Sequence, residues 1–364
     1  MPPRERKAPV PLADQVLERA SNSVCDLPYN DSPPRLYLPS GCTLLNLAMS
    51  DRTDGGYPSG RISNIIGDSD TGKTILSMHA LAEACQLEAF DNHKLIYADV
   101  ESSLSIDPER MFGKRFADRV DILSINDDNP PPETMQELHY DLLDLFDADQ
   151  PFIYVLDSLD YLASKEELDK TQEERKAFRS GKETTGTMGM SKSKYYKRML
   201  RECKGQIEKT DSLFLIISQT IANIGSQFDP KTVAGNNGLQ FSCRIRYWLS
   251  VLGSDKVKGR VIGRQIKGKV SKNHITGKRR TFNLWVYDNL GVDDVRTSLD
   301  FLITEGALPK MGGWIQAFDQ KLQIKDLIHY IEDHDLEKEL AGMVQAKWNE
   351  IEESLKLERK CRYE

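Results

Sequence analysis

The stretch RISNIIGDSDTGKTILSMHALAEACQLEAF, residues 61–90, decides the fold of this 364-residue chain. Its centre, GDSDTGKT, fits the pattern G-x-x-x-x-G-K-[ST] of phosphate-binding loops. The motif follows an apolar strand and precedes a helix, a context that a chance glycine-rich turn would lack. Glycines let backbone N–H groups point at phosphate oxygens, and the helix N-terminus adds positive potential. The predicted nucleotide-binding residues here are Gly67, Asp68, Ser69, Asp70, Thr71, Gly72, Lys73 and Thr74.

A magnesium site is predicted beside this loop. In the motif, Lys73 reaches the terminal phosphates and Thr74 places its hydroxyl on Mg²⁺. The stretch FIYVLDS ends an apolar strand in Asp157, and a carboxylate at the C-terminal edge of a parallel sheet lies where phosphates bind. We expect Asp157 to hold Mg²⁺ through water. The alternative is that Asp157 or Ser158 caps the following helix.

A second strand, LIYADVE at 95–101, also ends in an acid. Glu101 would lie beside the γ-phosphate, where a general base can orient the attacking water. Asp99 is the rival candidate, because side chains two residues apart in a strand point the same way. Asp99 lies deeper in the strand, so the prediction favours Glu101.

Gln219 ends the next buried strand, LFLIIS at 213–218, and opens a predicted loop over 220–240 that is rich in Gly, Asn and Gln. A neutral amide can contact a γ-phosphate and lose that contact on hydrolysis. Loops of this length are usually functional or disordered. We therefore predict that Gln219 moves this loop when the nucleotide state changes.

Apolar runs alternate with helical stretches through the middle of the chain, which indicates an α/β fold with a mostly parallel sheet covered on both faces. Three later strands without intervening helices predict an antiparallel extension. The predicted parallel strands are 61–66, 94–100, 120–125, 152–157 and 213–218, and the helices are about 74–90, 132–146 and 190–210. The extension covers 244–252, 259–271 and 281–287.

Three regions are predicted along the chain: an N-terminal oligomerisation segment at 1–35, an ATPase core at 36–300 and a small α-rich C-terminal domain at 301–364. In the first, the spacing of Leu12, Val16 and Ala20 predicts a short helix that docks on the next protomer or on its own core. In the last, Trp314 and Trp348 are expected in the core. Two stretches, 164–189 and 220–240, are predicted to be mobile.

Composition is that of a globular protein, with 39% hydrophobic and 29% charged residues. The six cysteines form no CxxC pair and the six histidines show no ligand spacing, so reduced thiols and no metal besides Mg²⁺ are expected. No apolar run reaches a membrane span and the N-terminus has no signal-peptide core, which predicts a cytoplasmic protein. The net charge is −7, yet the run 255–280 is strongly basic. That run either attracts DNA phosphates or is a solvated hairpin.

The order of several motifs resembles that of the RecA family of bacterial and bacteriophage homologous-recombination ATPases. They are PSGCTLLNLAM (39–49), GDSDTGKT (67–74), YADVESS (97–103), IDPER (106–110), YVLDS (154–158), TMG (187–189), IISQ (216–219), IGSQF (224–228) and GNNGLQF (235–241). The last is expected to lead back into a strand. The resemblance implies a RecA-like ATPase core from about 36 to 300. It also implies ATP and Mg²⁺ as cofactors, and a helical filament on single-stranded DNA that exchanges strands with homologous duplex. Single-strand-binding or loader proteins are possible further partners.

The resemblance also implies roles for individual residues. Arg110 would stack on adenine, unless it is a solvated arginine. Phe241 and Lys272 would lie at the interface between subunits, where Lys272 and His274 reach the neighbour's ATP. DNA would contact two loops, at about 164–194 and 220–240, with Met188 and Ile224 as wedges between bases. The implied DNA-binding residues are Met188, Gly189, Lys192, Lys194, Arg198, Ile224, Gly225, Phe228, Asn236 and Asn237.

Three departures from the family pattern suggest a phage-encoded or distant relative. His274 stands where bacterial members have a second lysine, Asn223 and Gln240 replace residues that tend to be basic, and a longer charged insertion precedes the first loop. Two alternative functions remain open at the level of sequence. One is a ring-forming hexameric DNA motor of the same ATPase fold, such as a helicase. The other is a DNA-coating protein whose ATP site only gates binding.

Overall fold

A computed structural model of the chain describes residues 36–102, 104–126, 128–180, 190–222, 231–233 and 236–359. The predicted N-terminal helix lies outside these residues. The described residues fall into two compact units that divide between Val292 and Asp293. The assignment of an oligomerisation role to the N-terminal segment stays a prediction.

The strands and helices are numbered here in chain order. The strands are β1 Tyr37–Leu38, β2 Tyr57–Pro58, β3 Arg61–Gly67, β4 Lys94–Asp99, β5 Val120–Leu123, β6 Phe152–Asp157, β7 Leu213–Ala222, β8 Lys231–Val233, β9 Ile245–Val257, β10 Arg260–Asn273, β11 Thr281–Tyr287, β12 Gly291–Asp293, β13 Lys310–Met311, β14 Trp314–Ala317 and β15 Gln320–Gln323. The helices are α1 Thr43–Ser50, α2 Lys73–Gln86, α3 Pro108–Phe112, α4 Lys114–Arg119, α5 Met135–Asp147, α6 Lys165–Arg179, α7 Met190–Lys209, α8 Asn236–Ser242, α9 Asp294–Thr304, α10 Ile324–Asp333 and α11 Glu337–Ser354. None of these described helices is both long and apolar enough to cross a membrane.

One large sheet organises the first unit and confirms the predicted α/β class. Its order is β12-β11-β10-β9-β3-β7-β6-β4-β5, with β8 paired to β7. The pairs that join β9, β3, β7, β6, β4 and β5 are parallel. Every residue of β3 and β6 is buried, as expected for central strands with both faces covered.

The register of the parallel strands brings their predicted functional ends to one edge. Gly67 at the end of β3 pairs with Gln219 of β7, and Asp99 at the end of β4 pairs with Asp157 of β6. Parallel strands present their carboxyl ends at the same edge of a sheet, where ligands bind in open α/β folds. The sheet therefore gathers the ends of four strands around the start of α2.

Helices α5 and α7 pack on one face of this sheet. Leu138 and Leu142 of α5 and Met199 and Leu200 of α7 belong to a buried cluster with the side chains of β6 and β7. The start of α5 is fixed by a capping box between Thr134 and the helix's own third residue.

The antiparallel extension is also present. Strands β9 and β10 form a long hairpin, and β11 pairs with β10 from Thr281 to Tyr287. The predicted strands 244–252 and 259–271 are each longer in the structure, because the hairpin continues to Val257 and resumes at Arg260.

Regular secondary structure occupies part of both segments that were predicted to be mobile, and their mobility stays a prediction. Within 164–189, residues Lys165–Arg179 form α6, whose N-terminus is closed by a capping box from Ser164. This helix buries none of its side chains. A charged sequence without an apolar stripe therefore forms a helix here through local capping and backbone hydrogen bonds, which the apolar pattern does not reveal.

The predicted loop at 220–240 is also partly regular. Strand β7 continues to Ala222, so the prediction that Gln219 ends this strand is wrong, because β8 pairs back on residues 220–222. Residues Asn236–Ser242 form helix α8 rather than leading directly into a strand. Leu239 of α8 is fully buried in the same cluster as α7. Tertiary packing of this leucine overrides the low helix propensity of glycine and asparagine.

The second unit contains α9, the three-stranded sheet β13-β14-β15, α10 and α11. Trp348 of α11 is 7% exposed and confirms the prediction of a core residue. The prediction for Trp314 is wrong, because its side chain is 45% exposed. Along β14, Ile315 and Ala317 face inward, so the alternation of the strand turns Trp314 outward.

The cysteines at positions 42, 85, 203 and 243 are buried free thiols. Burial raises the pKa of the Cys203 and Cys243 thiols to about 12. Both belong to the cluster that joins α7, α8 and the sheet.

Candidate nucleotide site

The predicted phosphate loop connects β3 to α2 through a tight turn. Asp70 and Gly72 have positive φ angles of 62° and 79°. Gly67 has no room for a side chain, because a Cβ would lie 2.4 Å from Thr71 Oγ1. The buried Thr71 donates its hydroxyl to the main-chain oxygen of Asp68 over 2.8 Å. This curled backbone is the geometry in which successive N–H groups can face an anion.

Lys73 begins α2 and is 8% exposed. Its Nζ donates to the main-chain oxygen of Asp68 over 2.6 Å. Burial lowers the pKa of Lys73, and the nearby carboxylates of Asp157 and Glu101 oppose that shift. The structure thus places this cation between the phosphate loop and the acidic strand ends, whereas Ser69 of the loop is exposed.

Asp157 is 1% exposed and lies against the start of α2. Its Oδ2 accepts hydrogen bonds of 2.6 Å from Thr74 Oγ1 and from Tyr97 OH. Burial raises the pKa of Asp157, while these two hydrogen bonds lower it. Neither Asp157 nor Ser158 forms a side-chain cap on the following 3-10 turn, so the capping alternative is not observed.

The residues present fit the predicted Mg²⁺. A hydroxyl from Thr74 and a carboxylate from Asp157 meet at one point, and hard oxygen ligands are those that Mg²⁺ prefers. Tyr97 was not predicted as a site residue. It stands two positions before Asp99 in β4, so the strand alternation that pointed to Asp99 and Glu101 also pointed to it.

The two rival acids have different surroundings. Glu101 is partly exposed, and its Oε1 accepts a hydrogen bond of 2.9 Å from Gln219 Nε2. Asp99 is 5% exposed, and its Oδ2 accepts from the backbone N–H of Leu104 over 3.2 Å. The geometry therefore joins Glu101, rather than Asp99, to Gln219 of β7.

Gln219 is fixed at both its backbone and its side chain. Its backbone N–H donates to Asp160 Oδ2 over 2.6 Å, while its amide reaches Glu101. Asp160 was not predicted from the sequence. It lies in the 3-10 turn Leu159–Tyr161 that follows β6, and only the packing of that turn beside β7 brings it to Gln219.

Several predicted residues lie away from this cluster. Arg110 is exposed on α3, where its backbone N–H donates to Asp107 over 3.1 Å. Lys272 Nζ donates to the main-chain oxygens of Gln240 (2.5 Å) and Phe241 (3.2 Å) in the last turn of α8. Burial lowers the pKa of Lys272. The Phe241 side chain is 79% exposed.

His274 is exposed beyond the end of β10. Burial is the main cause that lowers the pKa of His274, and the nearby charge of Lys272 lowers it further. It therefore differs from the lysine of bacterial members in being a weak base at neutral pH.

The ten predicted DNA-binding residues lie either outside the described part of the chain or on α7 and α8. Those outside are Met188, Gly189, Ile224, Gly225 and Phe228. Lys192 lies on α7, and Asn236 and Asn237 lie on α8. Lys194 and Arg198 are exposed on α7, and Arg198 Nε donates to Glu202 over 2.8 Å.

Comparison with known proteins agrees with this geometry. The sequence model of the RecA N-terminal domain matches residues 20–293. The chain belongs to the RecA family. Membership supports ATP binding, DNA binding and a role in DNA recombination and repair.

Three relatives named Protein RecA illustrate the similarity. The protein of Borrelia hermsii is 27% identical over 321 residues, which cover 86% of this chain and 81% of the relative. That of Bacteroides thetaiotaomicron is 28% identical over 317 residues, with 84% and 86% covered. That of Geobacter sulfurreducens is 26% identical over 315 residues, with 85% of each chain covered. The similarity thus extends beyond the phosphate loop through most of the sequence.

Proposed function

We propose that this protein is a DNA-dependent ATPase that forms a filament on single-stranded DNA and catalyses homologous pairing and strand exchange. The observation that carries the proposal is the hydrogen bond between Gln219 Nε2 and Glu101 Oε1. It links the candidate general base to the strand that leads toward the second predicted DNA loop. A phosphate site that served only to bind nucleotide would not need this link.

In the proposed ATPase step, Lys73 binds the β- and γ-phosphates from the start of α2. Thr74 and Asp157 would hold Mg²⁺, which would offset the phosphate charge when bound. Glu101 orients the attacking water and accepts its proton as the water oxygen bonds to the γ-phosphorus, and the bond from that phosphorus to the departing ADP breaks. The buried position of Asp157 keeps its oxygen fixed on the Thr74 hydroxyl, while the partly exposed Glu101 can reach a water. The different burial of these two acids thus suits two different roles.

The same arrangement supports a coupling to DNA. If the Gln219 amide contacts either Glu101 or a γ-phosphate, hydrolysis changes its partner and shifts the end of β7. A coupling of this kind is reciprocal, so DNA should tighten ATP binding by the factor by which ATP tightens DNA binding. The predicted DNA residues of both loops and the basic run 255–280 would supply the contacts to phosphate.

Self-assembly is proposed through Phe241 and Lys272. The exposed Phe241 offers an apolar side chain to a neighbouring subunit, and Lys272 with His274 would reach that neighbour's nucleotide. Electron microscopy with single-stranded DNA and a non-hydrolysable ATP analogue tests this arrangement. Helical filaments are expected, and closed six-membered rings would favour the motor alternative instead.

The experiment that tests the coupling is the Gln219→Ala variant. We expect near-normal ATP affinity without DNA, because Lys73 and the phosphate loop are untouched. ATP-enhanced DNA binding and DNA-stimulated turnover should both be lost. The measurement is the ratio of DNA affinities with an ATP analogue and with ADP.

The matched control is Gln206→Ala, which removes an exposed amide from α7. This control should keep the wild-type ratio of DNA affinities. A wild-type ratio in Gln219→Ala as well would show that Gln219 does not couple the nucleotide site to DNA binding.

A further inference from the structure

Asp68 places a carboxylate inside a loop that is built to bind anions. It directly follows Gly67, and its main-chain oxygen accepts hydrogen bonds from Lys73 Nζ (2.6 Å) and Thr71 Oγ1 (2.8 Å). The side chain therefore starts from the loop backbone that would surround the phosphates. A carboxylate left without a counter-charge at this place would repel them.

The Asp68 carboxylate is held by residues from two strands outside the loop. Its Oδ1 accepts a hydrogen bond from Thr220 Oγ1 of β7, and its Oδ2 forms an ion pair with Lys231 Nζ of β8. The hydrogen bonds from Lys231 and Thr220 lower the pKa of Asp68, so the group is ionised at neutral pH. One acidic side chain thus connects the phosphate loop to both strands.

The two strands are themselves paired. In the antiparallel ladder of β7 and β8, Ala222 faces Lys231 and Thr220 faces Val233. The ladder, the buried Val233 side chain and the ion pair of Lys231 all contribute to the position of β8. Movement of β8 away from the phosphate loop would leave Asp68 without its counter-charge.

We propose that Lys231 neutralises Asp68 and thereby sustains the affinity of the phosphate loop for nucleotide, so that docking of β8 and nucleotide binding are coupled. The inference rests on the nucleotide site of the proposed function, but not on strand exchange. It is separate from the Gln219 contact, because Gln219 reaches Glu101 whereas Lys231 reaches the phosphate loop itself. Lys231 is a positioning residue in this scheme.

The test is a double-mutant cycle read by nucleotide affinity without DNA. Fluorescent N-methylanthraniloyl-ADP with Mg²⁺ is titrated into wild type, Lys231→Ala, Asp68→Ala and the double variant. Lys231→Ala should weaken binding about two- to fivefold, the range that corresponds to an exposed ion pair. In the Asp68→Ala background the same change should cause no further loss, because no unneutralised acid remains.

Two controls separate this effect from a loss of folding. Lys231→Arg keeps the charge and should bind as wild type does, and Lys209→Ala removes an exposed lysine from the end of α7 without consequence. The loss in Lys231→Ala should shrink as salt concentration rises, since salt screens exposed charges. Thermal denaturation of each variant verifies that it is folded.

The outcomes distinguish this inference from the proposed function. Unchanged affinity in Lys231→Ala would overturn the coupling while leaving the nucleotide site intact. The coupling would also be overturned if Lys231→Ala lost as much nucleotide affinity in the Asp68→Ala background as it does in the wild-type background. Wild-type protein that fails to bind the fluorescent nucleotide would instead defeat the proposed site itself.

Discussion

Two carboxylates at one edge of the sheet have opposite surroundings. Asp157 is buried and bound to the hydroxyls of Thr74 and Tyr97, whereas Glu101 is partly exposed and bound to an amide. A metal ligand benefits from a fixed oxygen, and a general base needs access to water. The difference in burial therefore supports the two proposed roles independently of their order in the sequence.

Glu101→Gln should keep nucleotide binding and slow ATP hydrolysis by about 10²- to 10⁴-fold, the usual contribution of a general base. The amide keeps the size of the side chain but cannot accept the proton of the water. Steady-state turnover and nucleotide affinity are the measurements. Glu88→Gln, at an exposed position, serves as the control. Unchanged turnover in Glu101→Gln together with inactive Asp99→Asn would show that Asp99 is the base.

His79 gives the first unit a pH-dependent stability. Its Nε2 accepts a hydrogen bond of 2.8 Å from the backbone N–H of Val292, and its ring packs edge-on against Phe112 at 5.0 Å. Burial lowers the pKa of His79 from 6.5 to about 4. Between these values the unfolded chain binds a proton that the folded chain does not, so stability is present above pH 6.5 and is lost as pH falls toward 4.

Urea unfolding at pH 7.5 and at pH 5 measures this contribution. Wild type should lose about 2 kcal/mol from His79 between these two pH values. His79→Gln retains an acceptor for the Val292 N–H but does not titrate, so its loss should be smaller by that amount. Equal losses in both proteins would show that other groups cause the pH dependence.

Among the secondary-structure elements, the buried strands were predicted more accurately than the segments that connect them. The strand end at Asp157 was predictable because a buried parallel strand is a continuous apolar run that stops at a polar residue. The same pattern placed the end of β7 at Gln219, three residues too early, because the strand continues by pairing with β8. Helix α8 was not predictable, because its stability comes from burying Leu239 against α7 rather than from local propensity. Asp160 and Lys231 were missed for the same reason, since their partners are distant in sequence.

Replacing α6 and truncating a buried side chain of α8 should therefore have different effects on the free energy of unfolding. Replacing residues 166–178 of α6 by a short Gly/Ser linker should leave the unfolding free energy of the first unit nearly unchanged, because α6 buries no side chain. Leu239→Ala in α8 should cost about 2–5 kcal/mol, as for other buried leucines. Urea unfolding measures both. A large loss on replacing α6 would mean that this helix has packing partners elsewhere.

For the protein as a whole, the proposed active site needs a second copy of the chain. Lys272 lies at the far end of β10, where it donates to the end of α8 in its own chain. If Lys272 binds a neighbour's nucleotide as proposed, its Nζ would leave these main-chain oxygens on assembly and donate to phosphate instead. The monomer should then hydrolyse ATP poorly, and DNA should stimulate hydrolysis by assembling subunits.

Mixing two inactive variants tests a shared site. Lys73→Ala lacks the phosphate-loop lysine, and Lys272→Ala lacks the lysine that is proposed to reach the neighbouring subunit's nucleotide. In mixed filaments some interfaces pair an intact phosphate loop with an intact Lys272, so partial recovery of DNA-stimulated turnover is expected. The control assays each variant alone at the same total concentration. Absence of recovery at every ratio would count against a shared site.

The reaction rate of two buried thiols can measure how often the packing around them opens. Cys203 and Cys243 hold their protons at neutral pH because burial raises the pKa of both to about 12. An alkylating reagent reacts with the thiolate form of cysteine. Each of these two thiols is therefore unreactive until the packing around α7 and α8 opens locally. The rate at which these two native cysteines become alkylated therefore measures how often the region beside the predicted DNA-binding loops opens, and no reporter residue has to be engineered into the chain.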